Sequence, residues 1–339
     1  MRRDAACLKT RALALARGVR SLTTVTACVF ALGSAFDAQA QSYPSRPVRI
    51  VVPFAAGGAV DIVARATGQE LASRLGQPFI IENRTGAGGN IAADHVAKSS
   101  PDGYTLLMAS PGNAVNATLF RQLPFNPATD FTPVALVGAV PTVMLAGPAM
   151  PAKDFNEFLV SARAKPNSIN YGSGGTGTTE HLAAVMLSSS ARISMVHIPY
   201  KGGASAMTDL RGGQIPVMFT NLAGALAPIR SGHVRALAIA SDKRSPAIPD
   251  TPTFAELGFP DLRISVWWGV MGPAGLPRAV VERLNSAVNE VLSSEDFKQR
   301  LSAMSAEPLP GSADAFAVFF AKEIQMWGET VRQSGAQAE

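Results

Sequence analysis

The stretch Ile50-Val-Val-Pro-Phe-Ala-Ala-Gly-Gly-Ala-Val-Asp-Ile-Val-Ala-Arg65 reads as a buried strand, a turn of small residues and the opening of an amphipathic helix. That order makes an anion site. A helix start leaves backbone N–H groups without intrahelical partners and carries about half a positive charge, and Gly57 and Gly58 let a ligand approach the main chain. Phe54, Ala55 and Ala56 shape the turn, with Phe54 either flooring the pocket or packing as a core aromatic. Asp61 has two readings of equal weight: a grip for a ligand amino group, or charge compensation in the first helical turn.

Outward from this stretch, strand-like runs alternate with helical patterns. Val48 to Pro53 is followed by a helix from Asp61 to Leu75 closed by Gly76, then Phe79 to Glu82, a helix from Ile91 to Lys98, and Tyr104 to Met108. Such alternation predicts an α/β fold with a parallel, doubly wound sheet. The middle of the chain repeats the scheme: helices over Phe155–Lys165, Thr178–Ser188 and Ala204–Arg211, and strands at Ile169–Tyr171, Met195–Ile198, Val217–Thr220 and Arg235–Ala240. Val143 to Ala162 and Trp267 to Ala287 resemble each other, each an apolar strand, a Gly-Pro, a second proline and a helix. They are expected to be strands crossing between two domains, one outward and one back. The first domain is then discontinuous, residues 43–142 plus 264–339, and the second is 143–263. The helical tail from Ala313 to Arg332 is expected to dock on the first domain through Phe316, Phe319, Phe320, Ile324 and Trp327.

Charge and cysteine content narrow the function classes. The 339 residues carry 30 Lys plus Arg and 25 Asp plus Glu. Residues 1–40 hold six of the basic and two of the acidic residues, an apolar run from Ser21 to Ala35, and the small-x-small pattern Ala38-Gln39-Ala40, which together predict a secretory signal peptide cleaved near Ala40. The mature chain then has 24 basic (30 less 6) and 23 acidic (25 less 2) residues. Near-neutrality removes the electrostatic support for nucleic-acid binding. Both cysteines, Cys7 and Cys28, fall in the leader, so disulfides, thiolate metal sites and a cysteine nucleophile are not expected in the mature protein. No mature run of about 18 apolar residues exists to span a membrane. An exported, periplasmic protein of two domains, functioning as a monomer, is the expectation.

A second glycine-rich helix start lies at Tyr171-Gly-Ser-Gly-Gly-Thr-Gly-Thr-Thr-Glu-His181. Gly172, Gly174 and Gly177 satisfy G-x-G-x-x-G, but the ribose-binding acid that a dinucleotide site places about twenty residues on is missing, since no Asp or Glu lies between His181 and Asp209. Ser173, Thr176, Thr178 and the nearby amides suit a carboxylate better. The remaining candidates follow other strands: Ser110 and Asn113 in Ser110-Pro-Gly-Asn113, the loop Arg84 to Asn90, Tyr200 as a pocket wall, and Thr220 with Asn221. Open α/β sheets bind ligands at this edge. For Arg84 and Lys201 a solvated surface role is the plainer one. Histidines 95, 181, 197 and 233 show no metal-ligand spacing, and no G-x-S-x-G elbow or carboxylate pair stands out. A binding protein without metal or cofactor is predicted; the competing classes are a ligand-presenting sensor for a signalling kinase and a nucleotide-dependent enzyme.

The chain resembles the extracytoplasmic solute receptors of tripartite tricarboxylate transporters, the Bug-type receptors, over essentially its whole mature length. The matching motifs are Tyr43-Pro-Ser-Arg-Pro-Val48, Pro53 to Asp61, Glu82 to Asn90, Pro101-Asp-Gly-Tyr-Thr-Leu106, Tyr171 to His181, Pro199-Tyr-Lys-Gly-Gly203, and Pro249-Asp-Thr-Pro-Thr253 with Glu256. The resemblance implies a type II periplasmic binding protein fold: two doubly wound α/β domains joined by two crossover strands, closing on a small mono- or dicarboxylate for delivery to membrane permease subunits. It further implies that the loops Phe54–Asp61 and Ser173–Thr178 hold the carboxylate through backbone amides, hydroxyls and water. Many relatives carry Pro-Pro or Pro-Gly where this chain has Ala55-Ala56, which leaves the identity of the acid open.

Overall fold

The computed structural model describes residues 43–338; the leader, its cleavage site, Cys7 and Cys28 lie outside the described residues. The chain runs β1 (Val48–Val52), α1 (Ala59–Leu75), β2 (Phe79–Asn83), a 3-10 turn (Ala87–Gly89), α2 (Asn90–Ala97), β3 (Thr105–Ala109), α3 (Pro111–Leu119) and β4 (Phe131–Ala146). It continues through α4 (Phe155–Ala164), β5 (Asn170–Ser173), α5 (Thr179–Ala191), β6 (Val196–Pro199), α6 (Gly203–Arg211), β7 (Val217–Asn221), α7 (Leu222–Arg230) and β8 (Arg235–Ile239). The last elements are β9 (Ser265–Pro273), α8 (Arg278–Ser293), α9 (Glu295–Ala303), β10 (Glu307–Pro308) and α10 (Ala313–Ser334).

Hydrogen-bonded strand order is β2-β1-β3-β9-β4-β7-β5-β6, with β8 and β10 also on β4. β1, β2 and β3 pair in parallel, as do β5, β6 and β7. Each set is wound with helices in the manner the alternating pattern predicts. Between them the ladders are antiparallel: β3 with β9, β9 with β4, and β4 with β7. β4 is the hinge of the architecture. Its residues Phe131 to Pro141 pair with β9, and from Thr142 to Ala146 it pairs with β7. The return passes through the same point, where Ala240 N–H donates to the Thr142 carbonyl and Thr142 N–H to the Ile264 carbonyl. Two α/β lobes joined by two strand passages result, and from Arg46 onward the chain is one compact unit.

Two elements escape the sequence reading for identifiable reasons. β4 starts twelve residues before Val143, because Pro133, Gly138 and Pro141 read as strand breakers. The ladder absorbs the first two through register shifts at Pro133/Ala135 and Leu136/Gly138, the usual way a strand carries an extra residue. Helix α3 starts at Ser110-Pro-Gly-Asn113, a stretch expected from sequence to supply polar contacts but no helix. Pro111 is its first residue, where a missing N–H costs nothing and the fixed φ suits a helix, and Ser110 is its N-cap.

The tail helix α10 buries Phe316, Phe320 and Trp327. It packs on α3, β4 and α8, as expected for a first-lobe element, and touches α5 of the second lobe as well. Trp267 on β9 meets Phe316, Phe319 and Phe320 edge-on, and its Nε1 donates to Glu323 at 2.7 Å. Trp327 Nε1 donates to the same oxygen at 2.9 Å. Burial pushes the Glu323 carboxyl up against these two donors, which pull it back.

Candidate ligand cleft

The loop between β1 and α1 is held from below by ions. Asp61, 2% exposed, accepts from Arg65 Nε, Gly57 N–H and Asn83 Nδ2, all at 2.9 Å. Asn83 Nδ2 also donates to the Phe54 carbonyl at 2.9 Å. The bond from Arg65, ahead of those from Gly57 and Asn83 and against burial, holds the Asp61 carboxyl down to about 2. With its oxygens so occupied, Asp61 braces the loop and stands in the first turn of α1, where it compensates the helix start. Gly57 sits at φ +84°, the left-handed region that turns its N–H inward to Asp61.

Helix α3 forms the floor beside it. Asn113 Oδ1 accepts from Ser110 N–H at 3.0 Å, and Asn113 N–H donates to the Ser110 carbonyl at 3.0 Å. One turn on, Asn116 Nδ2 donates to the Gly88 carbonyl at 3.0 Å and to Asn90 Oδ1 at 2.8 Å. This pair of bonds ties the Arg84–Asn90 loop to α3.

In the second lobe the equivalent loop rests on neutral, stacked rings. His181 and His197 lie 3.9 Å apart, nearly parallel, with Tyr171 against His197 at 5.0 Å. Gly177 N–H donates to His181 Nδ1 at 3.1 Å. Ser173 Oγ bonds His197 Nε2 at 2.6 Å and accepts from Gly175 N–H at 3.1 Å. Burial, then the neighbouring His197, pushes His181 down to about 4, leaving a neutral ring whose Nδ1 accepts from Gly177 N–H; burial lowers His197 as well. Thr178 caps α5, its hydroxyl accepting from His181 N–H at 3.4 Å. The glycines serve packing: a Cβ on Gly172 would lie 2.4 Å from Ile215 Cδ1, and one on Gly174 3.3 Å from Gly203 N.

A cavity of about 540 Å3 lies where these parts converge, within the usual size range of small-molecule sites. Of the residues expected from sequence, Phe54, Gly58, Ser110, Thr176, Thr178 and Asn221 line it. The others stand behind or beside it. Ala55, Ala56 and Gly57 are exposed on the rim side of the loop. Asp61, Asn113, Ser173 and His181 are buried braces, each bonded inside its own lobe. Thr220 is buried and Gly174 packs on Gly203. Tyr200 gives its hydroxyl to Asp209 at 2.8 Å and does not wall the cavity. The sequence reading did not single out Val60, Gly88, Val115, Asn116, Leu119, Phe120, Glu180, Val266 or Ala338. Once α3 is known to be a helix, Pro111, Val115, Leu119 and Gly112, Asn116, Phe120 follow at helical spacing; β9 and the C-terminal residues had no local signal.

The lobes touch at one informative point. A Cβ on Gly177 would lie 2.5 Å from Leu119 Cδ2, and Gly177 has φ +78°. Here the second lobe's loop lies against helix α3 of the first.

Two α/β lobes on a shared hinge, with helix starts from both facing one cavity, define a type II periplasmic binding protein, a solute receptor. Comparison with known proteins narrows this. Residues 63–336 match the tripartite tricarboxylate transporter family receptor. Protein BugT of Bordetella pertussis is 37% identical over 322 residues, covering 94% of this chain and 98% of that protein. Among solved structures, an R. palustris protein with adipate has a TM-score of 0.74 at 34% identity, over 87% of this chain and 99% of that one. MatC from Rhodopseudomonas palustris, with bound malate, has a TM-score of 0.71 at 35% identity, over 85% and 100%. The chain belongs to the tripartite tricarboxylate transporter receptor family, whose members are periplasmic substrate-binding receptors.

Proposed function

We propose that this receptor captures a small organic carboxylate in the cleft and delivers it to membrane permease subunits. The observation that carries this is the convergence of helix starts: those of α1 (Gly58, Ala59, Val60), α3 (Ser110 to Gly112) and α5 (Thr178 to Glu180) line one cavity; Ser110 N–H is taken by Asn113 and Pro111 has none, so α3 contributes the Gly112 amide. First-turn N–H groups lack intrahelical partners and favour an anion. Four or five charge-assisted bonds of about 1.5–3 kcal/mol each supply the roughly 8 kcal/mol of micromolar binding after ordering costs. Similarity to structures holding malate and adipate supports the same ligand class.

On this reading the chain is exported, its leader is cleaved near Ala40, and it works as a periplasmic monomer. The lobes divide at residues 43–142 plus 264–339 and 143–263, meeting where Thr142, Ala240 and Ile264 are bonded, and they close about that point. Native mass spectrometry of protein purified from its own periplasm should show a bound organic acid. Calorimetry against mono- and dicarboxylates should find micromolar binding, accompanied by a smaller radius of gyration in solution scattering. If no carboxylate in such a panel binds, the proposal is wrong.

A further inference from the structure

We propose that Glu180 makes the cleft selective for a zwitterion, a monocarboxylate with an apolar body and an ammonium group, over the dicarboxylates held by related structures. This rests on the carboxylate reading above and specifies its ligand. Among the described residues that line the cavity, Glu180 is the one ionisable residue, and no Lys, Arg or His lines it. Most of the wall is apolar, with Phe54, Val60, Val115, Leu119, Phe120 and Val266 among its members. Glu180 is half-buried and takes part in no ion pair among the described residues; Thr179 Oγ1 lies a long 3.5 Å from its Oε2.

A carboxylate in the first turn of a helix is ordinarily explained by the dipole alone. That explanation leaves unused the place of Glu180 in the cavity wall, and the contrast with Asp61 is direct. Asp61 also sits in a first turn beside the cleft, but it is buried and its oxygens are bonded to Arg65, Asn83 and Gly57. Glu180, a residue of the cavity wall, has no such basic partner among the described residues.

The electrostatic consequence follows from what each ligand group would meet. One ligand carboxylate is satisfied by the helix-start amides of α1 and α3. A second would face Glu180 or an apolar wall with no cation to compensate it, and an uncompensated charge is costly to desolvate. An ammonium group set against Glu180 instead forms a charge-assisted pair. The net charge of site plus ligand is then lowest for a zwitterion.

The test is calorimetry on the whole mature protein with two matched sets: leucine against 4-methylpentanoate, and phenylalanine against 3-phenylpropionate, with malate and adipate as dicarboxylates. An amino acid is expected to bind at least about tenfold more tightly than its deaminated partner and than either dicarboxylate. In Glu180→Gln, checked for an unchanged melting temperature, that preference should fall to about twofold or less while dicarboxylate binding strengthens. If carboxylates bind but those lacking a cation bind as well or better, or if Glu180→Gln leaves the ratio intact, Glu180 does not select a zwitterion and the carboxylate receptor stands. If no carboxylate of any kind binds, both proposals fail together.

Discussion

The two glycine-rich loops look alike in sequence and are built on opposite chemistry. Pro53–Asp61 is braced by a buried carboxylate, a guanidinium and an amide, whereas Tyr171–His181 is braced by a hydroxyl and two stacked neutral imidazoles. Both present the first turn of a helix to the same cavity. The difference teaches that an anion site asks only for free amides and a close approach, and leaves the support beneath it unspecified. It also gives the two loops different sensitivities to acid, sterics and mutation, through which the comparison can be tested.

The largest effect is expected at the contact between lobes. Gly177→Val places a β-branched residue at φ +78° and drives its Cβ toward Leu119. Strain of about 1–3 kcal/mol should weaken ligand binding by tenfold or more in calorimetry. In the background of Leu119→Ala the steric part is relieved, so any loss that persists belongs to the backbone. Binding unchanged in Gly177→Val would show that the lobes do not need this contact to hold ligand.

Next in size is the ionic brace. Asp61→Ala leaves the Gly57 amide without its acceptor, removes one of the two acceptors of Asn83 Nδ2 and should cost about 1–3 kcal/mol of stability, read by chemical denaturation. Because Asp61 is held down to about 2, its contribution is complete above the ordinary carboxylate pKa of about 4 and fades as pH falls toward 2. A mutant as stable as the parent would remove Asp61 from its bracing role.

The smallest effect, and the one that separates the loops most cleanly, comes between pH 7 and 5.5. His181 is pushed down to about 4 in the folded protein, so the unfolded chain takes up a proton first as pH falls below about 6.5. Stability should therefore drop by about 1 kcal/mol by pH 5.5 from this group and level out below pH 4. His181→Asn keeps an acceptor for the Gly177 amide but does not titrate, and should flatten the slope. An equal slope in parent and mutant would place the acid sensitivity elsewhere. The Asp61 brace contributes nothing in this window.

Some of this was legible locally because its causes are local. The strand-turn-helix order at Ile50–Arg65 and at Tyr171–His181, the helix over Ala59–Leu75 and the apolar face of the tail helix follow from periodicity, glycines and capping residues. The boundaries of α1 and α5 fall within two or three residues of the expected ones at their starts. The presence of Phe54, Gly58, Ser110, Thr176, Thr178 and Asn221 in one cavity was also anticipated, since strand ends on one sheet edge converge. Three of the conspicuous polar residues, Asp61, Ser173 and His181, are buried and bonded within their own lobes. A side chain that can bind a ligand can equally bind its own main chain, and nothing in the sequence ranks the two.

Sequence alone determined the two α/β units, the paired helix starts and the lack of any cysteine after Cys28, because strand and helix periods and cysteine positions are properties of the local sequence. Only the tertiary structure decided that β4 runs unbroken from Phe131 to Ala146, that α3 forms a floor, and that Val266, Ala338 and Glu180 share a cavity with Phe54. Each of these depends on partners far apart in the chain: a ladder that tolerates bulges at Pro133 and Gly138, a lobe contact at Leu119 and Gly177, and a strand returning at Ile264. Long-range pairing supplies their energy, and the local pattern at any one of them is silent or points the other way.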